Sequence, residues 1–140
     1  MGFEMNVLYD KRNRDLDTEQ HLGAECRQLP QLLKESDFVC LTLILKAETR
    51  HIIDENELCQ MKLTAVLINV GRGSLVNELA LIEALKKDTI TGAGLDVFEK
   101  EPFSYDSQLL SLENVMLSPH AGSTTEKNGD PDGSEVLGIY

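Results

Sequence analysis

The strongest restriction on the fold comes from an alternation between short, largely apolar segments and segments whose apolar residues recur at helical spacing. The apolar segments are rich in strand-forming residues, and they predict strands at Met5–Tyr9, Phe38–Ile44, Ala65–Val70, Ile90–Val97 and Val115–Leu117. Strands of this kind are typical of parallel sheets that are covered on both faces. Because parallel neighbours need a crossover connection, usually a helix, the pattern predicts an α/β fold.

Three helices are predicted between these strands, at Leu29–Glu35, Asp54–Met61 and Asn77–Lys87. In the second helix Asp54 is the expected N-cap, with Glu57 as its capping-box partner. The third helix is expected to bury one apolar stripe, formed by Leu79, Leu81, Ile82 and Leu85. Together the elements predict a doubly wound, Rossmann-like parallel sheet.

Charge and cysteine content exclude several classes of function. A formal net charge of −11 argues against a nucleic-acid partner and against binding to an anionic membrane. The three cysteines lack metal-ligand spacing, so we expect no metal site. Scattered reduced thiols are typical of a cytosolic or organellar protein, and a cytoplasmic location is expected. No segment approaches the roughly 20 consecutive apolar residues of a transmembrane helix.

Three polar residues follow three successive predicted strands. Arg72 lies between two glycines after the third predicted strand, Glu101 follows the fourth, and His120 follows the fifth. Because ligands of open α/β sheets bind at the carboxyl edge, we expect these side chains to meet there. His21 and His51 lack such a setting and are predicted to be surface residues.

These residue types suit the reduction of a 2-keto acid. The planar guanidinium of Arg72 can hold a carboxylate and the adjoining keto oxygen. His120 can donate a proton to that oxygen, and a Glu101 carboxylate bonded to the imidazole would orient it. The reaction also requires a hydride, so a nicotinamide cofactor is implied, with a small 2-keto acid as the partner.

Four segments together resemble the D-2-hydroxyacid dehydrogenase family, and its glyoxylate/hydroxypyruvate reductases in particular. They cover most of residues 38–125 and read ILKAETRHIIDENELCQMK, AVLINVGRGSLVNELALIEALKK, GAGLDVFEKEP and NVMLSPHAGSTT. The resemblance implies NAD(P)H-dependent reduction of glyoxylate or hydroxypyruvate to the D-2-hydroxy acid. It also implies that Arg72, Glu101 and His120 are the catalytic residues, and a family-like homodimer is a further expectation.

The same resemblance identifies residues that are expected to contact the cofactor. Asp96 matches an aspartate near the nicotinamide end, and Val70 and Gly122 match backbone positions that line the cofactor. Ile44 stands where relatives often carry Ser or Pro close to the cofactor. The loop after the second predicted strand therefore departs from the family pattern.

The charged turn after the first predicted strand bears on the choice of cofactor. Asp10 alone is compatible with the ribose-binding carboxylate of an NAD enzyme. Matched to the family, however, the selective position is Lys11, which is followed by Arg12 and Arg14. A basic turn there suits the 2′-phosphate of NADP, so NADP is the expected cofactor and NAD the alternative.

The two ends of the sequence are expected to differ from those of a whole dinucleotide-binding enzyme. The sequence begins within what resembles the second strand of such a fold, so the first βα unit with its glycine-rich turn, and a substrate domain, are expected to be missing. We interpret residues 1–125 as a partial NAD(P)-binding domain and residues 126–140 as a disordered tail. An alternative interpretation is a catalytically incomplete fragment or splice product that keeps the motifs without the activity.

Overall fold

A computed structural model of the chain describes residues 5–120, which form short parallel strands connected by helices. The strands are β1 (Leu8–Tyr9), β2 (Glu25–Cys26), β3 (Phe38–Leu41), β4 (Val66–Asn69), β5 (Gly92–Leu95) and β6 (Val115–Leu117). The helices are α1 (Leu16–Leu22), α2 (Leu29–Glu35), α3 (Glu55–Leu58) and α4 (Glu78–Lys86). Strands β3, β4, β5 and β6 form one parallel sheet in that order, and β1 pairs with β2 in parallel. The predicted α/β fold with a parallel sheet is confirmed.

Four of the five predicted strands are longer than the observed ones: β1 begins at Leu8 rather than Met5, and β5 spans Gly92–Leu95 rather than Ile90–Val97. Strand β3 ends at Leu41 rather than Ile44, and β4 ends at Asn69 rather than Val70, because the last predicted residues enter the loops of the carboxyl edge. The described strands form two hydrogen-bonded ladders, one of β1 and β2 and one of β3, β4, β5 and β6.

Helix α1 and strand β2 were not predicted. Helix α1 has no buried residue, so it lacks the apolar stripe by which helices are identified. Its ends carried the only local signals: the Asp15 side chain accepts a hydrogen bond from Thr18 N, and Gly23 ends the helix at φ 65°. Strand β2 is two residues long, too short to show an alternating pattern.

One hydrophobic cluster joins the four-stranded sheet to α3 and α4. Leu81, Ile82 and Leu85 are buried in it as predicted, whereas Leu79 is 70% exposed and its predicted burial is wrong. At about 100° per residue, Leu79 lies roughly 110° around the helix from the mean direction of the other three.

The predicted capping box at the start of α3 is confirmed, because Asp54 N donates to Glu57 Oε2 at 3.1 Å. The helix itself ends at Leu58, three residues before the predicted Met61.

Within residues 5–120, no helix is long and apolar enough to cross a bilayer. In the same part of the chain, no group of three or more His, Cys, Asp or Glu side chains is arranged to hold a metal ion. The predicted boundary at residue 125 and the predicted tail lie outside the described residues.

Candidate functional site

The turn after β4 is held by a buried amide. Asn69 is 1% exposed; its Nδ2 donates to Arg72 O at 2.9 Å and its Oδ1 accepts from Gly71 N at 3.2 Å. Arg72 is exposed at the apex of this turn, and one of its N–H groups donates to Gly71 O at 2.8 Å. A single buried side chain therefore fixes the backbone that presents Arg72 at the carboxyl edge of the sheet.

Gly73 brings this turn against the loop that follows β5. A Cβ atom on Gly73 would lie 1.7 Å from Phe98 O and 2.4 Å from Glu99 N. Only glycine lets two backbones approach so closely. The contact therefore sets the separation between the Arg72 turn and the loop that carries Glu101.

Replacing Gly73 by Ala is expected to lower the free energy of unfolding by at least about 3 kcal/mol, because no rotamer change relieves a clash with backbone atoms. Gly94→Ala in β5 is the matched control, since a Cβ there would meet no atom within 4 Å. That change is expected to stay within about 1 kcal/mol of the parent. Urea unfolding followed by circular dichroism measures both variants. A Gly73→Ala protein as stable as its parent would show that the two loops do not pack in this way.

The loop after β5 carries Glu101 to the imidazole of His120. Glu101 Oε1 accepts a hydrogen bond from Phe98 N at 3.2 Å and lies 3.7 Å from His120 Nδ1. That separation fits an ion pair and exceeds hydrogen-bonding distance. The His120 and Glu101 side chains are 44% and 46% exposed, so a ligand can reach both from solvent.

One cleft of about 350 Å³ gathers the three residues that follow the predicted strands. It is lined by Leu45, Arg72, Gly73, Ser74, Phe98, Glu99, Glu101 and His120. A guanidinium, a carboxylate and an imidazole around such a volume can bind a small organic acid and transfer a proton. The structure thus brings Arg72, Glu101 and His120 together, and their catalytic roles stay predictions.

A second imidazole–carboxylate contact lies beside this cleft. His51 Nε2 is 2.6 Å from Glu99 Oε1, which also accepts from Arg50 Nη2 at 3.1 Å. The other Glu99 oxygen accepts from Glu78 N, at the start of α4, at 3.3 Å. The His51 side chain is 28% exposed and is held by this carboxylate, whereas His21 is exposed as predicted. Because His51 and Glu99 are 48 residues apart, no local pattern indicates their contact.

Two apolar side chains are exposed where strands end at the carboxyl edge of the sheet. Ile44 and Val70 are 58% and 47% exposed, although they follow strands of the core. Asp96 directly follows β5, is 9% exposed, and its backbone N donates to Asn69 O at 3.0 Å. Gly122, the remaining residue expected at this edge, lies outside the described residues. Exposed aliphatic side chains at this edge suit one face of a flat heteroaromatic ring.

The basic turn after β1 is largely paired within the chain. Lys11 Nζ lies 3.4 Å from Asp15 Oδ2, and Arg14 donates from Nε and Nη2 to the two Glu19 oxygens at 2.6 and 2.8 Å. The hydrogen bonds from Arg14 lower the pKa of Glu19, and those to Glu19 raise the pKa of Arg14. Arg12 is exposed and has no hydrogen bond or ion pair with any residue from 5 to 120. Of the three predicted phosphate ligands, Arg12 is therefore the most accessible to an anion.

The chain is similar to known proteins in sequence and in fold. Residues 1–122 match the family described as D-isomer specific 2-hydroxyacid dehydrogenase, NAD binding domain. Glyoxylate/hydroxypyruvate reductase B of Pectobacterium carotovorum subsp. carotovorum is 53% identical over 126 residues, which are 90% of this chain and 39% of that protein. A crystal structure of a glyoxylate reductase from Paecilomyes thermophila matches with a TM-score of 0.81 at 41% identity, over 89% of this chain and 37% of that one. The apo form of Rhodotorula graminis D-mandelate dehydrogenase matches with a TM-score of 0.83 at 35% identity, over 89% of this chain and 36% of that one. The chain thus spans less than two fifths of each of these relatives.

Proposed function

Because the chain belongs to the D-isomer specific 2-hydroxyacid dehydrogenase family, through its NAD-binding domain, we propose that it acts in the NAD(P)H-dependent reduction of a small 2-keto acid to the D-2-hydroxy acid. The observation that carries this proposal is the cleft shared by Arg72, Glu101 and His120. Glyoxylate and hydroxypyruvate are the proposed substrates, because similar proteins are named for them. One similar structure is that of a D-mandelate dehydrogenase. The group attached to the keto carbon is therefore the part of the proposed substrate that these similar proteins define least.

Arg72 is proposed to bind the substrate carboxylate. It stands at the apex of a turn that Asn69 fixes, and the N–H groups of a guanidinium match the two oxygens of a carboxylate. Holding the carboxylate fixes the position of the adjoining keto carbon within the cleft. Arg72 therefore accounts for substrate orientation.

His120 is proposed to donate the proton that the keto oxygen receives. The Glu101 carboxylate lies 3.7 Å from Nδ1 and restrains the ring from that side. In the oxidation direction the same imidazole accepts the proton from the hydroxyl group. Glu101 thus acts through His120 and not on the substrate.

A bound nicotinamide cofactor would supply the hydride for the keto carbon. The fit of such a group rests on two features: the carboxyl edge of a parallel sheet, and the exposed aliphatic side chains of Ile44 and Val70 at that edge. Asp96 and Gly122 are assigned to the same group by resemblance. We propose NADP as the preferred form, because Arg12 offers an accessible cation in the turn after β1; NAD is the alternative.

Replacing Arg72 by Lys in a chimera tests the proposal. The chimera carries residues 5–120 in place of the matching segment of the Pectobacterium reductase, which supplies the rest of an enzyme. We expect it to reduce hydroxypyruvate or glyoxylate with NADPH. We expect Arg72→Lys to lower kcat/KM at least about 30-fold, mainly through KM, because Lys keeps the charge but lacks the paired donors.

Arg27→Lys is the matched control for this substitution. Arg27 pairs with Glu25 and Glu35 on the surface, outside the cleft, so we expect a change in kcat/KM of less than about twofold. A folded chimera that reduces neither acid would contradict the proposed activity. An Arg72→Lys chimera with unchanged KM would contradict the role of Arg72.

A chain that keeps the site but has no activity is the second candidate function. It is supported by the exposure of His120 and Glu101, whose side chains are 44% and 46% exposed. Comparing the chain itself with the chimera distinguishes the two. If the chimera is active and the chain by itself is not, the residues of the chain can catalyse the reaction only together with further protein segments.

A further inference from the structure

The turn between β1 and α1 contains an anchored ion pair that the proposed reaction does not use. Glu19, whose side chain is 15% exposed, accepts hydrogen bonds from Arg14 Nε and Nη2 at 2.6 and 2.8 Å. It also accepts one from the Tyr9 hydroxyl at 2.6 Å, and the Tyr9 oxygen in turn accepts from Asp15 N at 2.9 Å. Tyr9 is buried, so the carboxylate is held between strand and helix and is not a loose surface partner of Arg14.

Glu19 occupies the edge of the Arg14 guanidinium that a phosphate would use. The Nε–Nη2 edge presents two parallel N–H groups, and both carboxylates and phosphates bind such an edge through two oxygens. An incoming phosphate must therefore use the remaining N–H groups of Arg14 or displace Glu19. Displacement would leave a poorly exposed carboxylate, still bonded to Tyr9, beside a second anion, which is unfavourable.

The other charged groups of the turn do not compensate for this competition. Lys11 faces Asp15 at 3.4 Å, and Asp10 and Asp17 add exposed negative charge. Arg12 is the cation without a partner among residues 5–120. Anion binding at the turn therefore depends mainly on Arg12 while the Glu19–Arg14 pair is intact.

We propose that Glu19 is a specificity-determining residue: its carboxylate competes with the 2′-phosphate of NADP for Arg14 and so reduces the preference of the turn for NADP over NAD. The inference rests on the proposed function, in that the turn binds the adenosine ribose of the cofactor. It predicts that NADP selectivity is set by the Glu19–Arg14 pair and not by the number of basic residues alone.

The test is an NMR titration of the 140-residue chain with adenosine 2′-monophosphate, with adenosine 5′-monophosphate at equal ionic strength as the comparison. Glu19→Gln removes the charge while keeping the shape, and we expect it to lower the Kd for the 2′-monophosphate about three- to tenfold. The Kd for the 5′-monophosphate should be unchanged. Glu19→Ala, which removes the competing carboxylate by another route, should shift the Kd in the same direction.

Two further variants distinguish an effect of the Glu19–Arg14 pair on the Kd from an effect of the net charge of the chain. Asp17→Asn removes the same charge from an exposed position on α1, and we expect a change of less than about twofold. Arg14→Ala in the Glu19→Gln background should abolish the gain, because the guanidinium that the phosphate would reach is then absent. Spectra of the residues outside the turn verify that each variant keeps the fold.

The outcomes distinguish this inference from the proposed function. Wild-type binding that prefers the 2′-monophosphate, with no gain in Glu19→Gln, overturns the role of Glu19 alone. An equal gain in Asp17→Asn also overturns it, because net charge then explains the effect. Absence of any preference for the 2′-monophosphate in every protein overturns both this inference and the proposed use of NADP.

Discussion

The 140-residue chain, assayed by itself, is expected to oxidise NADPH in the presence of hydroxypyruvate at a negligible rate, several orders of magnitude below the chimera. The His120 and Glu101 side chains are 44% and 46% exposed, so water reaches the groups that would act on the substrate. Orientation of reactants alone accounts for about 7–11 kcal/mol of barrier reduction in well-positioned reactions. Closure of a site also excludes water and completes the positioning. Arg72, Glu101 and His120 in open water cannot replace these contributions.

The measurement is NADPH absorbance with hydroxypyruvate and with glyoxylate, using the purified chain and its His120→Ala variant. The expected result is the same background rate in both proteins. Robust turnover that disappears in His120→Ala would contradict the expectation and show that the chain works without a further protein segment. Sedimentation of the same samples would then reveal whether two copies of the chain complete the site.

Most of the fold was predictable because short, largely apolar segments rich in strand-forming residues alternate with segments of helical spacing. Strand β6 and helix α2 have the predicted bounds, and the capping box of α3 is present. The errors arise where a position depends on distant packing. Leu79 fits the apolar composition of α4 yet faces outward, and α1 is stabilised by its caps and not by burial.

The candidate site was predictable only as a set of strand-end residues. Parallel topology brings Arg72, Glu101 and His120 to one edge whatever the intervening sequence, so their meeting in one cleft follows from strand order. The contacts that support this edge did not follow from the sequence. His51 meets Glu99 across 48 residues, and no spacing rule links the two.

In the basic turn after β1, contacts between residues close in sequence were also not predicted. The sequence indicates a basic turn of Lys11, Arg12 and Arg14 with Lys11 at the selective position, whereas the structure pairs Arg14 with Glu19 through two hydrogen bonds. The pairing depends on where α1 begins, and α1 was not predicted. A missed helix therefore concealed which cation is accessible.

The most direct test of the central claim, that His120 is the proton donor of a 2-keto acid reductase, is the kcat of the chimera with His120 replaced by Asn. Asn preserves a polar side chain but cannot carry the proton, so we expect kcat for hydroxypyruvate to fall about 100- to 10,000-fold, with KM changed far less. His21→Asn is the control, because His21 is exposed on α1 and its Nδ1 contacts Asp17 O of the same helix at 2.7 Å. A His120→Asn chimera that retains the kcat of the His21→Asn control would contradict the claim.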